Sequence, residues 1–327
     1  MDLSLTLNTD GSVSGTWTNP APAPTPTPPP SPSTWTDNLG VYCASGSPAD
    51  WKTFTADVAK PVPWAMAFTV GTDWASIAGT WPASAWKGSG ANLLLGVDMI
   101  ANAVAGSTTA VGYMQGVANG TYDSTFAAVA KNCVANGFDA SNMMWRIGWE
   151  FNLGWAPWSS NSNNSKAPNA ALFVAAYKRI VDVARTVIPN LQFMWNPSRG
   201  DNGVGNLANY YPGSSYASVV ALDVYDEQWG TTPTEPSEMN LILTEPYGLD
   251  WLVTFAASAG AKCGLGEWGL WKKATSRNEG LGDDPYFITQ MLTWIKANGG
   301  GPCVFWNNGM NLETSYPNSL AAFKSFS

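Results

Sequence analysis

From about residue 36 onward, apolar residues fall in short runs that suit strands buried on both faces. Longer stretches at helical spacing separate them. The runs are LGVYCAS (39–45), WAMAFTV (64–70), NLLLGVDM (92–99), MMWRIGWE (143–150), LQFMWNP (191–197), SVVALDVY (218–225), KCGLGEWG (262–269) and PCVFWNN (302–308). Helices are expected at 125–137, 169–188, 249–260 and 284–300. The second follows Pro168 with Asn169 placed to cap it, and stops at Pro189. The fourth runs into glycines, and Asp283-Asp284 ahead of it reads as capping and dipole compensation. Eight strands alternating with helices is the count for an α/β protein of the (β/α)8 TIM-barrel type. A doubly wound open sheet is the alternative.

Upstream the pattern changes. LSLTLNTDGSVSGTWT alternates apolar and polar residues around Asp10-Gly11, as a β-hairpin does. A hairpin is marginal alone, so this stretch is expected to be the remnant of an upstream module. PAPAPTPTPPPSPS (20–33) should form an extended, semi-rigid linker. The division expected is a hairpin at 1–19, a linker at 20–35 and a catalytic barrel at 36–327. Such linkers join modules of secreted enzymes. Met1-Asp2 opens without the basic and apolar regions of a leader, so the expectation of an extracellular protein rests on linker and composition.

Composition narrows the chemistry. The net charge of −8 speaks against nucleic acid as a partner, and no run nears the roughly 20 apolar residues that span a bilayer. Histidine is absent, which excludes Ser-His-Asp and Cys-His catalysis and removes the commonest metal ligand. No metal or organic cofactor is expected. The 18 tryptophans, many beside Gly, Asn or Ser, suggest platforms for the C–H faces of sugar rings. Cys43, Cys133, Cys263 and Cys303 form no metal signature, and Cys263 and Cys303, near the starts of neighbouring strands, are within reach of a disulfide.

In a barrel of this type catalytic side chains sit at the C-terminal ends of strands. The fourth strand candidate ends in Glu150 and the seventh reaches Glu267, each in aromatic and glycine-rich surroundings. Facing each other across the mouth, two such carboxyls suit retaining glycoside hydrolysis, which needs them roughly 5–5.5 Å apart. Arg146 is expected on the same strand face as Glu150, where it would keep a carboxylate ionised. Tyr225 is placed to hydrogen-bond Glu267, Trp306 to floor the sugar, and Asn196 to bond a hydroxyl. Trp155 and Trp158 offer further platforms. Trp149, Asn152 and Trp268, flanking the two glutamates, complete the candidate substrate contacts. Asp223, Asp226, Glu227 and Asp98 are rival carboxylates, read as solvated or hydroxyl-binding groups.

WRIGWEFNLGWAPW resembles the acid/base segment of glycoside hydrolase family 26. GEWG resembles that family's nucleophile segment, and YYPGSSYASVVALDVY (210–225) the stretch before it. The resemblance implies a retaining β-glycanase with Glu150 as acid/base and Glu267 as nucleophile. It implies an endo-acting enzyme whose substrate is most commonly β-1,4-mannan. The chain is expected to be a monomer, formerly linked to its upstream module. Trp149 departs from the family, standing where a histidine usually touches the sugar. Mixed-linkage glucan, β-1,3-xylan or an exopolysaccharide are therefore alternative substrates. A carbohydrate-binding barrel without activity and a transglycosylase are the competing functions.

Overall fold

The computed structural model describes residues 2–7, 13–18, 34–43, 46–161, 168–227, 234–273, 280–309 and 311–327. Eight strands, β1 (Leu39–Cys43), β2 (Trp64–Phe68), β3 (Asn92–Val97), β4 (Met143–Ile147), β5 (Gln192–Trp195), β6 (Val219–Tyr225), β7 (Lys262–Gly269) and β8 (Cys303–Asn307), lie in sequence order. Every neighbouring pair is parallel and β8 closes on β1, so the sheet is a closed barrel. All eight apolar runs contain a strand; the run at 262–269 is a strand throughout, and that at 218–225 from its second residue to its end.

Strand alternation divides the core. Met66, Leu94, Met144, Met194, Val219, Ala221 and Val304 fill the barrel interior. The residues alternating with them, such as Leu93, Leu95, Trp145, Phe193, Val220 and Leu222, pack outward against the helices. Ala170–Val187, behind β4, is capped by Asn169, whose Oδ1 accepts from Leu172 N at 2.9 Å. Asp284 caps Pro285–Asn298, accepting from the Tyr286 and Phe287 amides. Between β5 and β6 the described chain carries the 3₁₀ helix Leu207–Tyr210 in place of an α-helix.

Asp2–Leu7 and Val13–Thr18 pair antiparallel. The Asp10-Gly11 turn and the Pro-rich stretch at 20–33 lie outside the described residues. The disulfide expected between Cys263 and Cys303 is corrected: all four cysteines are free and buried. Cys303 pairs in register with Leu265, two residues beyond Cys263, so the strands are adjacent but the cysteines are not opposite. Each faces its own backbone neighbour, Cys263 Sγ the Leu252 carbonyl and Cys303 Sγ the Gly301 carbonyl.

Candidate active site

Arg146, on the inner face of β4 directly above Met144, is the hub of the barrel mouth. It is fully buried. One guanidinium nitrogen meets Asp223 Oδ2 at 2.5 Å and the other Glu267 Oε1 at 2.7 Å, while Nε donates to Asn196 Oδ1. Its charge also lies 5.9 Å from the Phe68 ring centre and 5.5 Å from that of Trp149. Burial alone would drive the proton off, but the Asp223 and Glu267 carboxylates outweigh it and raise the Arg146 pKa. The cation is therefore permanent.

Glu150 does not share a strand with Arg146, as had been expected. β4 ends at Ile147, and the chain turns through Gly148 (φ +64°) to Glu150, itself at φ +51°. Gly148 is required there, because a Cβ would lie 2.5 Å from Met99 Sδ and 2.7 Å from Phe173 Cζ. The Glu150 amide donates to the Asn196 carbonyl at 2.8 Å, tying the turn to the end of β5. A non-glycine residue held in the left-handed region is strained backbone of the kind found at functional sites. Trp155 Nε1 donates to Glu150 Oε2 at 2.7 Å.

Glu267 owes its position to an irregularity in β7. Leu222 pairs with Leu265 but Asp223 pairs with Glu267, so β7 holds one extra residue at Gly266. The same shift occurs against β8, where Cys303 pairs with Leu265 and Phe305 with Trp268. With Oε1 held by Arg146, Glu267 Oε2 accepts from the Tyr225 hydroxyl. Burial and the Glu267 charge push the Tyr225 pKa well above its ordinary value, so the phenol stays protonated and keeps donating.

These groups open into a cavity of about 940 Å³. One wall, from β8, β1, β2 and the β4 turn, is aromatic. Trp306 stacks on Tyr42 with ring centres 4.3 Å apart, Phe68 meets Tyr42 edge-on at 5.3 Å, and Trp149 lies 5.1 Å from Phe68. The other wall, from β5, β6 and β7, carries Ser198, Arg199, Asn202, Tyr225, Glu227 and Glu245. Glu150 and Glu267 line this cavity together. Burial, and next the charge of Glu267, push the Glu150 pKa up to about 7; Arg146 and the Trp155 hydrogen bond oppose them. Glu150 thus holds a transferable proton near neutrality, the property a general acid needs. Among the described residues, no group of three or more Cys, Asp or Glu side chains is arranged to hold a metal.

Of the residues expected to touch substrate, Trp149, Trp155, Tyr225 and Trp306 line the cavity. Four do not. Trp268 faces outward from β7, packed on Phe305 at 5.0 Å and Phe323 at 6.1 Å, because the extra residue reverses the alternation. Trp158 is buried behind Trp149, donating to its carbonyl at 2.8 Å, and so props the β4 turn rather than meeting a sugar. Asn152 clamps the loop after β5, donating to the Ser198 and Gly200 carbonyls and accepting from Ser198 N. Asn196 is fully buried and spends its oxygen on Arg146. Of the rival carboxylates, Asp223 is locked to Arg146 and Glu227 lines the cavity. Asp98 pairs with Thr69 at 2.6 Å, and Asp226 is buried with Glu238 and Asp284. Sequence reasoning missed Tyr42, Phe68, Arg199, Glu245 and Trp271 on the cavity wall. For Tyr42 and Phe68 the signal was available, since both are inward positions at strand ends.

Residues 100–238 match the family model described as Glycosyl hydrolase family 26. That segment includes Arg146, Glu150, Asp223 and Tyr225. Solved structures share the barrel. The catalytic domain of a Bacillus sp. JAMB-750 family 26 endo-β-1,4-mannanase superposes with a TM-score of 0.62 at 15% identity, covering 89% of this chain and 87% of that one. A modular Cellulomonas fimi endo-β-1,4-mannanase gives 0.60 at 14% identity, over 89% of this chain and 70% of that one. A Bacillus subtilis mannanase gives 0.57 at 14% identity, over 88% and 86%. At these identities the likeness speaks for the fold. No curated protein matches the sequence significantly. A family 26 segment running through Arg146 and Glu150, on the barrel that family 26 mannanases share, makes this chain a family 26-like glycoside hydrolase.

Proposed function

We propose that the chain is a retaining, endo-acting β-glycanase whose substrate is β-1,4-mannan, with Glu267 as nucleophile and Glu150 as acid/base. The observation that carries this reading is the division of labour between two carboxyls in one cavity. Glu150 is driven to about 7 by burial and by Glu267, while Glu267 is gripped by Arg146 and Tyr225. A Glu267 oxygen attacks the anomeric carbon as the glycosidic C–O bond breaks, and its electron pair takes the Glu150 proton. Water then hydrolyses the glycosyl ester, giving its proton back to Glu150. The aromatic wall offers stacking faces to the sugar rings, and Trp306 floors the one being cleaved. Mannan is taken from the solved neighbours described as mannanases. An extracellular setting is part of the proposal, on the Pro-rich stretch at 20–33.

Reducing-end release from a panel of β-glycans, with wild type and Glu267→Ala, tests it. Release from mannan that disappears in the variant is the expected result, and near-normal activity in Glu267→Ala would sink the assignment. Release from another β-glycan keeps the mechanism and moves the choice of sugar to the surroundings of Trp149. The first-formed anomer, followed by proton NMR, tests retention: an inverted product excludes double displacement.

A further inference from the structure

The polar wall of the cavity contains a built element that the chemistry above does not use. Arg199, at the head of the loop after β5, donates through Nη1 to Glu245 Oε1 at 2.5 Å and through Nη2 to the Glu227 carbonyl at 3.0 Å. Only 10% of the Arg199 side chain and 21% of that of Glu245 remain accessible, and both residues line the cavity. The backbone beneath is fixed from three sides. Arg199 N donates to the Asp223 carbonyl on β6, and Asn202 Nδ2 to the Arg199 carbonyl. Asn152, two residues past Glu150, holds the Ser198 and Gly200 carbonyls at 2.8 Å each. The shelf is therefore tied rigidly to the turn that carries the acid/base carboxyl.

A guanidinium has five N–H donors in a planar fork, and the two bonds above take two of them. Beside Glu245 it offers donors and an acceptor side by side, the pattern that matches adjacent hydroxyls of a pyranose. Net charge is cancelled within the pair, so the shelf suits a neutral sugar rather than an anionic one. Its place follows from the two carboxyls. The sugar attacked by Glu267 is floored by Trp306 and Tyr42, on β8 and β1. The oxygen protonated by Glu150 must lead to the next sugar, past β4 and towards β5, whose following loop carries Arg199 into the cavity that Trp155 also lines.

We propose that Arg199, paired with Glu245, forms a leaving-group-side subsite that holds the departing sugar by its hydroxyls. This rests on the hydrolase reading above. The pair acts on the departing unit alone, so its contribution vanishes when the leaving group is not a sugar.

The test compares kcat/KM on β-1,4-mannohexaose and on an aryl β-mannobioside, for wild type, Arg199→Ala and Arg199→Lys. Losing a charge-assisted contact should lower the mannohexaose value on the order of 10- to 100-fold, and the aryl glycoside value less than about 3-fold. Transfer to added mannose acceptors should fall with the first. Equal losses on both substrates, or none on either, overturn the subsite. If Arg199→Ala does not fold, Arg199→Lys decides by the same ratio, since it keeps the charge and loses the fork. A wild-type protein that cleaves neither substrate overturns the β-mannan reading on which the test rests, an outcome distinct from an unchanged ratio in an active enzyme.

Discussion

Trp155→Phe isolates the electrostatics of Glu150 from its packing. The indole N–H donates to Glu150 Oε2 at 2.7 Å, and this hydrogen bond favours the ionised carboxyl. Phenylalanine keeps a ring in contact with Trp158 but has no donor. Trp155 is 55% exposed, so the bond sits at the solvent edge. It is worth about 1 kcal/mol there, below the roughly 1.5–3 kcal/mol of a buried bond to a charge. At 1.36 kcal/mol per pKa unit this is a rise of about 0.7. The wild-type carboxyl titrates at about 7. As general acid Glu150 must be protonated, so activity falls as pH rises through its pKa. The variant's alkaline limb should therefore move up, to between about 7.5 and 8.

The assay is kcat/KM on β-1,4-mannohexaose at steps from about pH 4 to about pH 9, because that parameter reports the free enzyme. A limb that stays in place, or moves towards acid, refutes the claim that the indole stabilises the charged form. A change in KM with no movement of the limb would leave Trp155 as a stacking surface only.

Two further perturbations test the scaffold. A Cβ on residue 266 would lie 1.7 Å from Asn196 Oδ1 and 2.7 Å from Asp223 Oδ1. Gly266→Ala should therefore dislodge two of the three polar partners of Arg146 and lower kcat by on the order of 100-fold, read beside a circular dichroism spectrum that shows the barrel intact; an unchanged kcat would mean that the Arg146 network is dispensable. Behind the polar wall, burial pushes Asp226 up to about 9 and Glu238 up to about 7, the two carboxyls lying against each other. Unfolded carboxyls titrate near 4, so between about 4 and these values the folded chain binds more protons and stability falls as pH rises. Glu238→Gln removes one of these titrations and should raise stability over wild type by about 1–2 kcal/mol at pH 9, with a smaller gap at pH 5, measured by urea unfolding. A gap that does not widen with pH would count against a buried, proton-holding carboxyl there.

Much of this could be read in the chain because barrel strands advertise themselves. Both faces are buried, so each appears as an apolar run, and eight runs between helical stretches leave few other architectures. The two glutamates stood out by position and surroundings. Their partners were less visible. Asp223 shares an inner face with Val219, Ala221 and Tyr225, so period-2 spacing aims it at the barrel axis. It does not show that Arg146 reaches past β5 to meet it. Asn152 and Trp158 lie in a loop whose path depends on contacts with residues about 50 and 9 positions away, and no local pattern records those. Arg199 and Glu245 are 46 residues apart and meet only because the loops after β5 and β6 share a rim.

Trp268 marks the sharpest limit. On β7, Cys263 and Leu265 face the helices while Gly264 and Gly266 face the axis, so unbroken alternation would send Glu267 outward and Trp268 inward. On a regular strand Glu267 and Trp268 cannot both face the substrate. The extra residue at Gly266 resolves it by putting two consecutive residues on the inner side, which brings the carboxyl into the mouth and turns the indole towards Phe305 and Phe323. Glycine is what makes this possible, since any side chain there would occupy the space of Asn196 and Asp223. Gly266, the inward carboxyl and the outward indole are thus one feature. A substitution that straightened β7 would remove Glu267 from the cavity and strip Trp268 from the outer core in the same step.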